Sequence, residues 1–271
     1  MEGQGSKSAG AGAAGTTPLS WRLASVANAA RLLKEFSRDD RELGVSELSR
    51  RLGLATSTVH RLLATLADER LLERGTSPGG YRLGLALFDL GASVAAGGDL
   101  HEAALPVMAA LRASTGETVQ LAVLDGLESV YVERLESPHT VQIFSRVGTR
   151  LPATTTSTGK VLLAALPADE LAARLAGWEP CRITPHTIVD LSTLRSRLAE
   201  TAERGWAENL EETRVGVVSV GAPVRDAGGA VVAALSVAAP TDRAGPAALR
   251  RVRVAVIEAA ALVSARLRTP G

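Results

Sequence analysis

Apolar residues recur at helical spacing along the first third of the chain, and the breaks in that spacing divide it into elements. Val26, Ala29, Ala30, Leu33 and Phe36 form a stripe that predicts a helix over residues 25–36, with Ser25 as its N-cap. Leu48 and Leu52 lie four apart and predict a short helix over 46–52. Gly53 follows, where a helix end favours a left-handed residue. After Leu54 and Ala55, the positions Val59, Leu62, Leu63 and Leu66 predict a second helix over 56–68. Two β-prone runs, 71–74 and 81–83, flank a Ser-Pro-Gly-Gly turn and predict a hairpin. A short apolar helix over 85–98 ends in paired glycines and reads as a connector.

Beyond the connector, helical and alternating patterns are mixed. A helix is expected over 100–114, then strands near 119–124, 129–133 and 141–146. Helices over 158–166, 168–175 and 191–204 follow. Three more strands, 207–210, 217–224 and 231–237, precede a last helix over 247–268. Short turns such as Asp125-Gly126 imply antiparallel pairing with helices packed on a face, hence an α+β class.

Composition sharpens this outline. The 271 residues have room for one large domain or two ordinary ones, and 46% apolar content is enough for a packed core. Only 3% are aromatic, so that core must be aliphatic. Residues 1–20 are mostly Gly, Ala, Ser and Thr and are expected to be a disordered tail. The expected organisation is therefore a tail over 1–20, a head over 21–84, a connector over 85–98 and a body over 99–271.

The net charge of +1 excludes a chain-wide basic field. Its distribution is uneven. Residues 21–83 carry eleven Lys or Arg against eight Asp or Glu, a balance of +3, while 84–271 carry eighteen against twenty. The sign suits a nucleic-acid-binding head on a neutral body. Cys181 is the single cysteine, which excludes an intrachain disulfide and any zinc site needing two thiolates. His60, His101, His139 and His186 are scattered, so no metal and no cofactor are expected. The longest mainly apolar run, 230–240, is shorter than the roughly 20 residues of a membrane helix. With no charged lead before an apolar block, a cytoplasmic location is expected.

The candidate chemistry lies in two places. In the head, the polar face of the 56–68 helix shows Ser57, Thr58, His60, Arg61 and Thr65. Helix, glycine turn and second helix form a helix-turn-helix, and the hairpin after it is a wing. Thr56, Ser57, Thr58, His60 and Arg61 are expected to reach bases and phosphates, and the wing at Gly80 and Tyr81 to touch the DNA backbone. In the body, hydroxyl residues 154–158 lead into a helix N-terminus, where free amides and the positive dipole end favour an anion. Capping of that helix is the plainer reading of the same hydroxyls. Ser219 and Ser236 on apolar strands, with Asn209 just before, add polar groups among apolar walls and so describe a small-molecule pocket.

Enzymatic readings fail on spacing. Ser157 and Lys160 have the Ser-x-x-Lys interval, but the downstream elements of that chemistry are missing. As a phosphate loop the same stretch has Thr154 where glycine is required and Val161 where a magnesium-holding hydroxyl is required. No catalytic residue is assigned.

Together these segments resemble the IclR-type transcriptional regulators, over about residues 22–269. In the head the resemblance rests on SVANAARLLKEF, GVSELSRRLGLATSTVHRLLATL and GGYRLG. In the body it rests on GTRLPATTTSTGKVLLA, ENLEETRVGVVSVGAPV and GAVVAALSVAAP. It implies a winged helix-turn-helix, a linker helix and a GAF-like effector-binding domain. It also implies double-stranded operator DNA as partner, dimers or tetramers of the chain itself, and an effector such as a small carboxylate or aromatic acid. By position, the effector contacts would be Ser157, Thr158, Asn209, Ser219 and Ser236. Ser219 stands where many members have Cys, and Asn209 where an acidic residue is frequent, which makes the pocket more hydroxylic and less negative. Repression follows from family habit alone. The alternative class is a metabolite-binding protein or degenerate enzyme whose helix-turn-helix serves protein interaction.

Overall fold

A computed structural model describes residues 23–36, 42–95, 99–139 and 146–268. The expected tail over 1–20 and all but the end of the expected strand over 141–146 lie outside the described residues. The chain divides into two compact units, Met1–Val94 and Ala95–Gly271.

The first unit contains α1 (Ala24–Glu35), β1 (Leu43–Gly44), α2 (Val45–Leu52), α3 (Thr56–Asp68), β2 (Leu72–Arg74), β3 (Gly80–Leu83) and α4 (Ala86–Ala95). The turn between α2 and α3 is fixed locally. Gly53 takes a left-handed φ of 65°. Ser49 Oγ donates to the Leu54 carbonyl at 2.5 Å, and the Leu54 amide returns to the Ser49 carbonyl at 3.2 Å. Val59, Leu63 and Leu66 of α3 are buried with Leu48 and Leu52 of α2 and with Leu72 and Tyr81 of the hairpin. Each such aliphatic side chain withdrawn from water contributes about 1.5–3 kcal/mol.

In α1 the expected stripe holds at Ala29, Leu33 and Phe36, which pack in the head core. Leu32 joins them fully buried, while Val26 at the start of the helix stays 62% exposed. The N-cap is Leu23 with no side-chain bond, so Ser25 lies inside the helix. The hairpin also gains a third strand, since β1 pairs antiparallel with β3 through Leu43 opposite Tyr81. Two residues are too short for any alternation to show in the sequence.

The second unit starts with α5 (Asp99–Thr115), β4 (Thr118–Asp125), β5 (Glu128–Leu135) and β6 (Arg150–Pro152). A single 3₁₀ turn (Ala153–Thr155) leads into α6 (Ser157–Ala164), α7 (Ala168–Leu175) and α8 (Leu191–Arg204). The unit ends with β7 (Ala207–Leu210), β8 (Val217–Arg225), β9 (Val231–Pro240) and α9 (Pro246–Leu267). The strands form one antiparallel sheet in the order β6-β5-β4-β9-β8-β7.

Alternation along the strands gives the sheet two different faces. Val119, Leu121, Ala222, Val224, Leu235 and Val237 pack with Val107, Met108 and Leu111 of α5 and with Val256 and Val263 of α9. The intervening residues face α6, where Val161 and Leu162 pack on Ala207 and Ala234. Helix α8 is capped at both ends as its sequence dictates: Asp190 accepts from the Thr193 amide at 2.7 Å, and Gly205 closes it at φ 73°.

Candidate DNA-reading face and effector site

Helix α3 buries its apolar stripe and leaves Thr56, Ser57, Thr58, His60 and Arg61 exposed. Thr56 Oγ1 lies 3.4 Å from Ser49 Oγ, which ties the start of α3 to α2. Thr65 returns its hydroxyl to the Arg61 carbonyl at 3.0 Å. Arg61 has no ion-pair partner among the described residues, so its planar fork of donors is unspent. Thirteen residues at 1.5 Å each make a rod of about 20 Å, a size that a major groove admits.

The wing is the expected hairpin of β2 and β3. Gly80 and Tyr81 are buried, and the Tyr81 ring lies in the head core with Arg74 stacked 4.4 Å above it. Tyr81 belongs to the middle of three strands, paired with both β1 and β2, and its side chain is fully buried. The exposed tip is Thr76, Ser77, Pro78 and Gly79. Glu42 holds it by accepting from the Ser77 amide at 2.6 Å and from Thr76 Oγ1 at 3.0 Å. The Ser77 amide bond keeps the Glu42 carboxyl below its ordinary range.

In the body, Ser157, Thr158, Asn209, Ser219 and Ser236 are all buried. Thr156 is the N-cap of α6 and accepts from the Gly159 amide at 2.9 Å, which leaves the Ser157 and Thr158 amides as first-turn donors. The helix start lies directly on β8. A Cβ on Gly221 would stand 3.1 Å from the Ser157 carbonyl carbon and 3.2 Å from the Thr158 nitrogen. Ser157 Oγ and Ser219 Oγ are 2.8 Å apart, and Thr158 Oγ1 and Ser129 Oγ 2.9 Å apart. Ser236 lies between Gly221 and Gln120 on the neighbouring strands.

Asn209 sits opposite Ser219, but its amide is committed elsewhere. Its Nδ2 donates to Thr213 at 2.8 Å and its Oδ1 accepts from the Glu212 amide at 2.8 Å, so it braces the turn into β8. Three polar residues on this face were not singled out from the sequence: Gln120, Ser129 and Tyr131. Burial pushes the Tyr131 hydroxyl up to about 12, against a lowering bond to Thr158. The available signal was a polar residue at an inward position of an apolar strand, as in Val119-Gln120-Leu121.

The chain matches the helix-turn-helix model of IclR over residues 25–75 and the bacterial transcriptional regulator IclR C-terminal model over 92–265. The chain belongs to the IclR family. It is 36% identical over 248 residues to the HTH-type transcriptional regulator XynR of Escherichia coli, covering 92% of this chain and 98% of that one. It is 32% identical over 212 residues to the HTH-type transcriptional repressor AllR of the same species, covering 78% of each. An IclR homologue from Microbacterium hydrocarbonoxydans, crystallised with 4-hydroxybenzoate, superposes with a TM-score of 0.77 at 30% identity, over 90% of this chain and 99% of that one. This IclR protein is thus a helix-turn-helix transcriptional regulator with an α+β C-terminal domain. Among the described residues no helix is long and apolar enough to cross a membrane.

Proposed function

We propose that the protein is a cytoplasmic, non-enzymatic repressor that works as a homo-oligomer and is controlled by a small organic anion. The observation that carries the DNA half is the exposed polar face of α3, with Arg61 unpaired at its centre among the described residues. In this reading α3 enters the major groove, where Arg61 contacts a guanine edge or a phosphate and Thr56, Ser57, Thr58 and His60 surround it. The wing tip at Thr76 and Ser77 follows the backbone. A two-fold dimer then reads a pseudo-palindrome with half-sites about one helical turn, or a multiple, apart.

In the body, the Ser157 and Thr158 amides and the hydroxyls of Ser219 and Ser236 receive a carboxylate. An aromatic acid is one candidate, since 4-hydroxybenzoate accompanies the Microbacterium structure. Hydroxyls now bonded to one another exchange that partner for the ligand, which keeps every buried polar group satisfied. The effector changes DNA affinity only as far as it prefers one arrangement of the heads, and the coupling is reciprocal. AllR, a relative of this chain, is named a repressor, which supports that direction of control.

The test is selection of bound sequences from a random duplex pool, repeated with each of a panel of carboxylates. Recovery of a pseudo-palindrome, and its release by one acid, is the expected result. Retention of no duplex by the full chain sinks the proposal.

A further inference from the structure

Helix α9 buries one side and leaves an apolar stripe on the other. Val256, Ala260 and Val263 pack in the body core. On the outer side Val254 is 53% exposed, Leu262 53% and Ile257 38%. The solvated side of a surface helix is ordinarily charged or polar, so three large aliphatic side chains there want cover. A shallow groove of about 410 Å³ runs along the same side, walled by Ala247, Arg250, Arg251, Val254, Ala255 and Glu258.

The charges in that groove have no use within the chain. Among the described residues the side chains of Arg250, Arg251 and Glu258 form no ion pair, whereas their neighbour Arg253 lies over the Trp206 ring at 4.6 Å. Arg250 and Glu258 are eight residues apart, about 12 Å along the axis, too far to meet on one helix. They stand at equal distances on either side of Val254. A two-fold axis at Val254 therefore sets Arg250 of each copy against Glu258 of the other, and the contact forms twice. The same register sets Ala247 against Ala261, where small side chains let the helices approach, and lays the stem of Arg251 along Ile257. A parallel arrangement in register would put Arg250 on Arg250 and Glu258 on Glu258, which like-charge repulsion disfavours. Because the stripe carries both signs in a self-complementary order, it fits a second copy of itself better than a partner of one charge.

We propose that this side of α9 is an interface between two copies of the chain, packed antiparallel about a two-fold axis at Val254. The inference rests on the homo-oligomer reading above and supplies a surface for it.

Charge exchange tests the register. Arg250→Glu places carboxylates on both sides of each contact, and Glu258→Arg places guanidiniums there. Each variant therefore repels its own copy, while one of each attracts the other. Both positions are exposed, so the chains fold normally. Sedimentation equilibrium of the full chain is expected to show each variant alone associating at least about tenfold more weakly, with the assembly mass halved where wild type is intact. An equimolar mixture of the two is expected to recover the wild-type mass, a result that misfolded chains would not give. A monomeric wild type overturns this interface and the homo-oligomer reading together. A wild-type oligomer whose mass neither variant changes, or variants that fail to recover on mixing, overturns this interface alone.

Discussion

The hydroxyls of Ser157 and Ser219, 62 residues apart in the chain, share a buried 2.8 Å hydrogen bond. It joins the first residue of α6 to the middle of β8, next to the close approach at Gly221. Ser219→Ala removes one partner and leaves the other hydroxyl buried and unmet. The expected cost to the body's unfolding free energy is about 1–3 kcal/mol. The double variant Ser157→Ala with Ser219→Ala recovers part of it, since no polar atom then remains unpaired. Urea unfolding of the three variants measures this, and a Ser219→Ala midpoint equal to wild type removes the bond from the account of stability.

Arg61 offers the converse case, a residue with no structural duty. Its exposure and lack of an ion pair among the described residues predict that Arg61→Ala changes stability by less than about 0.5 kcal/mol. On a selected duplex the same substitution is expected to cost about 1–3 kcal/mol and to relax preference at one base position. A phosphate contact instead weakens all sequences equally and lowers the salt slope by about one. Titration against the selected and scrambled duplexes at two salt concentrations distinguishes these outcomes.

The two sites were legible to different depths for physical reasons. Helix α3 was readable because Val59, Leu63 and Leu66 repeat at helical spacing and Gly53 marks the turn before them. Helix α8 was expected over 191–204 and is found at Leu191–Arg204. What a sequence does not carry is pairing between distant strands. β4 and β9 lie side by side at the centre of the sheet, Gln120 opposite Ser236, and no local pattern records that. The burial of Tyr81 was hidden for the same reason, because it depends on β1, a two-residue strand nearly forty residues upstream. Asn209 was expected on the strand just before Ser219; pairing sets it opposite Ser219, yet its amide serves the backbone of Glu212, a contact set by turn geometry rather than residue type.

Gly159 shows how a residue that suggested a phosphate loop is explained by packing. A Cβ there would lie 2.2 Å from the Ala153 carbonyl oxygen and 2.3 Å from its Cα. Both are backbone atoms of the 3₁₀ turn before α6, so neither can swing aside. Gly159→Ala is expected to destabilise the body by about 3 kcal/mol or more. Gly177→Ala, where an added Cβ meets nothing within 4 Å, is the control and stays within about 0.5 kcal/mol of wild type. Circular dichroism melts of the pair check this, and equal melting temperatures refute the packing argument.

Asp190 gives a prediction with a definite pH window. Its carboxylate accepts from Ser192 Oγ at 2.5 Å and from the Thr193 amide at 2.7 Å, at the positive end of α8. The Ser192 hydroxyl, and then the Thr193 amide, lower its pKa from 3.8 to about 2. The folded state therefore holds the proton more weakly than the unfolded chain does. The carboxylate's contribution is fully present above the unfolded value of 3.8 and disappears as pH falls through about 2. Asparagine caps a helix about as well as aspartate but cannot titrate. Asp190→Asn is expected to lose some stability at pH 7, where the charge assists, and to lose less than wild type on acidification. Melting temperatures of the two proteins should converge as pH falls from 3.8 to about 2, the window set by those two pKa values. A constant difference across that window means that the charge of Asp190 adds nothing to its hydrogen bonds.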